Sequence, residues 1–177
     1  MSVQETLKKR KSIRSYTGEK ISDQDLKTIL DAVQYSPVAM GKYDSIQITV
    51  INDPEILDEI DKNCAITMGV LNKRTLYDAP TLILISSTLP DNMSSNILAY
   101  SNCAVIAENI VLQAVELGIA TCHIWGAVMA LAKKPKLIEK VKIEKGFYPI
   151  CGVLVGKSDE QYKEKVLEKD RIKVTCI

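Results

Sequence analysis

Arg10-Lys11-Ser12-Ile13-Arg14 crowds three cations and a hydroxyl into five residues. It then breaks off into Ser15-Tyr16-Thr17-Gly18, a turn rich in hydrogen-bonding groups. A guanidinium offers a planar fork of donors, an ammonium a point charge, and a hydroxyl a neutral donor. Together they suit an oxyanion. The segment is therefore a candidate anion site; the plain alternative is a solvated helix end.

The other reactive residue types narrow the chemistry. His123 is the single histidine, and a lone His beside a strand is more often structural than catalytic. The five cysteines, Cys64, Cys103, Cys122, Cys151 and Cys176, are odd in number and form no Cys-x-x-Cys pair. They read as reduced thiols in a cytoplasm. One His and scattered Cys do not supply structural zinc spacing. Cys122 and His123 are adjacent, and neighbours on a strand point to opposite faces, so they make a poor nucleophile–base pair. There is no Gly-x-Gly-x-x-Gly fingerprint.

The chain that positions these residues has 177 residues, enough to bury a core as one medium domain. Hydrophobic residues make up 46% and charged residues 25%, an ordinary soluble balance. A formal net charge of +1 gives no bulk field favouring nucleic acid or a membrane surface. One Phe and one Trp leave few platforms for stacking bases. The polar start Met1-Ser2-Val3-Gln4-Glu5 is no signal peptide. No stretch of about 20 apolar residues is read as a bilayer span.

Ser2 and Glu5 form a capping box opening a helix through about Lys9. Ser22 caps a second helix, with Leu26, Ile29, Leu30 and Val33 at helical spacing and Pro37 ending it. Residues 45–51 alternate as a strand. Asp53-Pro54 starts a third helix, and 81–86 is a continuous apolar strand expected to be buried on both faces. Residues 93–117 form the longest helical pattern, with small and apolar residues on more than one face, and Gly118 stops it. A strand over 120–124, a glycine-containing turn at Trp125-Gly126, a surface helix within 133–145 and a strand over 148–155 follow. Residues 158–177 form a C-terminal arm. The element order predicts an α+β fold.

At this level of detail the chain resembles the nitroreductase family, flavoproteins that bind FMN. The resemblance rests on Arg10-Lys11-Ser12-Ile13-Arg14 followed by Tyr16, and on Ser36-Pro37-Val38-Ala39-Met40-Gly41. It continues through Tyr77-Asp78-Ala79-Pro80, Glu116-Leu117-Gly118-Ile119-Ala120-Thr121, Ile124-Trp125-Gly126 and Val153-Leu154-Val155-Gly156. It implies a single FMN-binding domain over 1–177. The implied core is a mainly antiparallel sheet flanked by helices, with the long helix at a homodimer interface that also carries the FMN sites.

By this resemblance Arg10 and Ser12 meet the cofactor phosphate, Lys11 lies along the cofactor, and Arg14 sits at the pyrimidine edge of the flavin. A guanidinium there favours the reduced, more negative ring. Lys169 and Arg171 resemble a second phosphate-contacting pair, with Lys157 a weaker candidate. Pro37, Val38, Ala39, Met40 and Gly41 match a loop that reaches the partner's flavin. The family often has Ser where Val38 stands and Asn where Gly41 stands, which leaves this loop its backbone contacts. Ile124, Trp125 and Gly126 match the segment whose amides approach flavin N5, with Trp125 where many relatives are acidic.

The implied function is ping-pong transfer of two electrons from NADH or NADPH, through flavin N5, to a small conjugated acceptor such as a nitroaromatic or quinone. No catalytic side chain is required. The alternatives are a flavin store, an electron-transfer protein or a narrow-substrate relative, and a flavin-free interaction domain. Partners expected are the second subunit, the nicotinamide and the acceptor, with no nucleic acid, membrane or metal.

Overall fold

The computed structural model of the chain describes residues 1–89, 92–167 and 171–177. Among the described residues six α-helices and four strands alternate irregularly: α1 (Val3–Lys9), α2 (Asp23–Gln34), β1 (Ile46–Ile51), α3 (Pro54–Met68), β2 (Thr81–Thr88), α4 (Met93–Glu116), β3 (Ala120–His123), α5 (Trp125–Ala132), α6 (Pro135–Lys140) and β4 (Phe147–Gly156). The strands form one sheet in the order β1-β2-β4-β3, every pairing antiparallel. This is the expected α+β arrangement.

Strand β2 lies at the centre and is buried from Thr81 to Ser87, as its unbroken apolar run predicts. Its alternate residues feed two cores. Leu82 and Leu84 pack with Leu154 under α3, α5 and α6. Ile83 and Ile85 pack with Val153 and Val155 under α2 and α4. The caps read from sequence are present. The Ser2 hydroxyl accepts from the Glu5 amide while the Glu5 carboxylate takes the Ser2 amide, and Asp53 caps α3 with Pro54 at its first turn.

Three expectations need correction. Residues 125–126 are not a turn but the start of α5, whose Gly126, Ala127, Val128, Ala130 and Leu131 are buried. An octamer that is apolar almost all round shows no helical stripe, so periodicity does not reveal it. The strand before it ends at His123, because Ile124 caps the helix. The surface helix shrinks to Pro135–Lys140, since Pro135 fixes its start and Lys142 turns left-handed at φ 56°.

The bilayer expectation also changes. Asn96–Glu116, 21 residues of mean hydropathy 1.3, is long and apolar enough to span a membrane by length and composition. In the fold this stretch lies on the sheet, with Cys103, Ile106, Ala107, Ile110, Val111, Ala114 and Val115 in the second core. Its opposite side exposes Ile97, Tyr100, Ala104 and Val105.

The turn before β2 is set by Asp61, which is 3% exposed. One carboxylate oxygen accepts from the Thr75 amide at 2.6 Å and the Leu76 amide at 3.0 Å; the other lies 3.1 Å from Arg74 Nε. Tyr77 and Asp78 then take left-handed φ of 55° and 61° and hand the chain to Pro80.

Candidate cofactor site

The basic segment runs along the free edge of the sheet. Ile13 is fully buried, and its amide donates to the Thr121 carbonyl of β3 at 2.8 Å. Burial pushes the Cys122 thiol up, while Arg14, Ser12 and Arg10 pull it the other way. The charges of Arg14 and Arg10 and the Ser12 hydroxyl thus reach the Cys122 thiol on β3, as side chains two apart on an extended segment can. Arg14 itself is exposed.

The C-terminal arm closes over the same place. Tyr162 donates to the Ile119 carbonyl at 2.9 Å and accepts from the Thr121 amide at 3.2 Å. The Lys165 amide donates to Lys8 O at 3.2 Å, and its ammonium donates to the Arg10 carbonyl. Burial lowers the pKa of Lys165 from the usual lysine range, and the positive charges of Arg10, Arg171 and Lys11 lower it further. Arg10, Lys11 and Arg171 are thus all within electrostatic reach of Lys165, a loose cluster of cations tied by the bond from Lys165 to the Arg10 carbonyl. Of the expected C-terminal pair, Arg171 reaches this group only through its charge on Lys165, and Lys169 lies outside the described residues. Lys157 turns away to Glu19 at 2.9 Å. Lys165 escaped sequence reading because a lone Lys in a charged arm carries no motif.

Two carboxylates stand among the cations. Glu160 is 2.6 Å from Lys11 Nζ. Glu108, on α4, is 3.7 Å from Arg10 Nε and 3.0 Å from His123 Nε2. Among the described residues the cluster thus holds four cations against two carboxylates. Like charges gathered this way are a fitting seat for a dianionic phosphate.

Strand β3 leads from this cluster to α5. Ile124 donates its amide to the Gly152 carbonyl at 2.9 Å and gives the helix no side-chain cap. The first-turn amides of Trp125 and Gly126 have no intrahelical acceptor. Trp125 is 70% exposed, so it is not a core residue of this chain. Gly126 is buried, and a Cβ on it would meet Cys64 Sγ. His123 is exposed and its ring meets Glu108, while Cys122 is buried and its thiol donates to the His123 carbonyl, so the two side chains have different partners.

Residues 37–41 are elsewhere. Asn109 donates to the Ser36 hydroxyl at 2.8 Å, and the Ala39 amide donates to the Asn102 side chain at 3.0 Å. Pro37 is exposed, Val38 buried, and Met40 and Gly41 are left-handed at φ 57° and 65°. Ala39 and Met40 line a cavity of about 380 Å³ with Ser87, Thr88, Leu98 and Asn102. Thr81 shares the level of Thr121 in the sheet through Val155, whereas Ser87 is six residues farther along β2. At roughly 3.3 Å per residue the Ser87 wall of that cavity is about 20 Å from the level of Thr121 along the strand. One chain does not bring the two halves of the expected site together.

The model of the Nitroreductase family matches residues 7–157. Over 132 residues the chain is 28% identical to an Archaeoglobus fulgidus protein with the provisional name NADH dehydrogenase/NAD(P)H nitroreductase, covering 75% of this chain and 71% of that one. A Methanothermobacter thermautotrophicus protein of the same name is 27% identical over 143 residues, 80% and 69% of the two chains. Among solved structures, a Bacteroides fragilis nitroreductase with bound FMN superposes with a TM-score of 0.82 at 25% identity. One from Desulfitobacterium hafniense, also with FMN, gives 0.85 at 21%. Each of these two similarities covers 99% of both chains.

Proposed function

The chain belongs to the nitroreductase family and is an FMN-dependent, NAD(P)H-using flavin oxidoreductase; from that premise we propose that it passes two electrons by ping-pong to a small conjugated acceptor of nitroaromatic or quinone type. Bound FMN supplies the hydride chemistry at N5. The protein's own part is to bind, orient and tune. Arg10, Lys11, Ser12, Lys165 and Arg171 hold the phosphate, with Lys169 as a further candidate. Arg14 would sit at the pyrimidine edge, where its fixed charge would favour the reduced ring. The amides of Trp125 and Gly126 would donate toward N5 of the bound ring.

The observation that carries this reading is the cation cluster of Arg10, Lys11, Lys165 and Arg171, joined by β3 to the open first turn of α5. A phosphate seat and a ring seat then lie on one continuous edge.

The working unit in this reading is a homodimer, in which Pro37 to Gly41 reach the partner's flavin. Two features support it: the distance of this loop from its own chain's cluster, and the exposed Ile97, Tyr100 and Val105 on α4. The chain acts as one domain with residues 158–177 as an arm, in the cytoplasm, where its free cysteines stay reduced.

A visible spectrum before and after anaerobic NADH or NADPH tests the reading. Bound flavin that bleaches, and recovers on adding a quinone or nitroaromatic, is expected. A flavin that stays oxidised with both nicotinamides would establish the second reading, a flavin store or narrow-substrate relative. Trp125 in the usual acidic position is the feature that favours it. Sedimentation of the yellow protein as a monomer would remove the shared site.

A further inference from the structure

The cation cluster contains a carboxylate that no cofactor contact requires. Glu108 projects from α4 with one oxygen 3.7 Å from Arg10 Nε and the other 3.0 Å from His123 Nε2. Its charge also acts on Lys165, against the cations around that ammonium. An anion at this place neutralises part of the field that a phosphate would meet, and repels the phosphate itself.

We propose that Glu108 is a resident anion of the phosphate seat, which competes with FMN for Arg10 and so sets the cofactor affinity, while His123 holds the carboxylate when Arg10 turns to the phosphate. This rests on the cluster being the FMN phosphate site.

The geometry already leans toward that exchange. At 3.0 Å the His123–Glu108 contact has hydrogen-bond length, whereas 3.7 Å to Arg10 is an ion pair without one. Arg10 meets Glu108 through Nε, which leaves its terminal nitrogens for a second anion. The three side chains are between 31% and 39% exposed, so solvent screens their pairing and Arg10 is given up at little cost. Glu160 differs: its carboxylate pairs with Lys11 from the arm and is 45% exposed.

Riboflavin lacks the phosphate and isolates the effect. Dilution of the full-length holoprotein, followed by the fluorescence of released flavin, gives the dissociation constant of FMN and, after exchange, of riboflavin. Glu108→Gln should tighten FMN by roughly three- to tenfold, the scale of one half-exposed charge interaction, and leave riboflavin unchanged. His123→Gln, which leaves the carboxylate to Arg10, should weaken FMN. Unchanged or weaker FMN binding by Glu108→Gln would overturn the proposal, as would equal tightening of both flavins. A wild-type protein that holds FMN and riboflavin equally would fail at the earlier step, because the cluster would not read the phosphate, and the role of Glu108 would fall with it.

Discussion

Gly126 packs directly on Cys64: a Cβ at Gly126 would stand 2.7 Å from Cys64 Sγ and 2.8 Å from Met68 Sδ. The missing side chain is therefore what lets the first turn of α5 close onto α3. Cys64 is fully buried and cannot swing into solvent, whereas Met68 is 56% exposed and can. Gly126→Ala should destabilise the fold by about 1–3 kcal/mol and weaken flavin binding, because the Trp125 and Gly126 amides shift with the helix. Urea unfolding reads the first effect and flavin release the second. Adding Cys64→Ala should restore much of the loss, since the two side chains would compete for one space. A Gly126→Ala protein as stable as the wild type would show that α3 yields.

Asp61 fixes the turn into β2 with two backbone bonds, and Asp58, one helical turn earlier, clamps Arg74 and Lys62 from the surface. Asp61→Ala leaves the Thr75 and Leu76 amides without their acceptor and should cost about 3 kcal/mol. Asp58→Asn should show a different signature. Hydrogen bonds from Lys62 and then Arg74 hold the Asp58 carboxyl below its usual range. A depressed carboxylate stabilises the fold above its unfolded pKa, and that contribution fades as pH falls through its folded value. The gap between wild type and Asp58→Asn should thus narrow in acid. Denaturation midpoints at neutral and acid pH would measure it, and a gap that widens in acid would contradict the assignment.

Much of the fold is legible in the residues because its signals are local. Ser2, Ser22 and Asp53 mark three helix starts by side chains that bond the next turn, and β2 declares itself by an unbroken apolar run. Helix α5 was hidden because Trp125-Gly126 reads as a break, and only burial against Cys64 and Met68 makes it a helix start. In the candidate site, the order Arg10 to Arg14 is a sequence signal and was readable. Lys165 and Glu108 were not, because tertiary contact alone assigns them: the arm folds back on Lys8 and Arg10, and α4 brings its carboxylate to the same place. Arg171 was singled out by its motif, and the structure adds that its charge acts on Lys165.

Lys165 should make FMN affinity fall at alkaline pH. Burial first, and then Arg10, Arg171 and Lys11, lower its pKa from the ordinary value of 10.5. Its charged form attracts phosphate, so affinity is full below the lowered value and declines as pH rises through it. The stability effect has the opposite sign. Between the folded and unfolded pKa values the unfolded chain binds more protons, so this residue's contribution to stability rises with pH. Lys165→Gln should weaken FMN at neutral pH and flatten the alkaline limb. Flavin release measured from neutral pH to pH 10 checks this, and an unchanged alkaline limb would exclude Lys165.

Trp125 is the single tryptophan, which makes it a reporter as well as a candidate surface for the acceptor. It stands at the first position of α5 and is 70% exposed, so its indole is not needed to fill this chain's core. Flavin seated at the end of β3 would lie beside it and quench its fluorescence. A loss of most of the emission on FMN loading is expected, with recovery on flavin removal. Trp125→Ala should keep FMN, because the amide at 125 is retained, but should raise the KM for flat aromatic acceptors about fivefold, the equivalent of one lost aromatic contact near 1 kcal/mol. The rate of flavin reduction by the preferred nicotinamide separates two roles for the ring. If reduction slows as much as acceptor turnover, Trp125 shapes the common face of the flavin. If acceptor KM alone moves, it selects the acceptor. An FMN-loaded protein with full tryptophan emission would place the flavin far from α5, and the assignment of the Trp125 and Gly126 amides to N5 would be wrong.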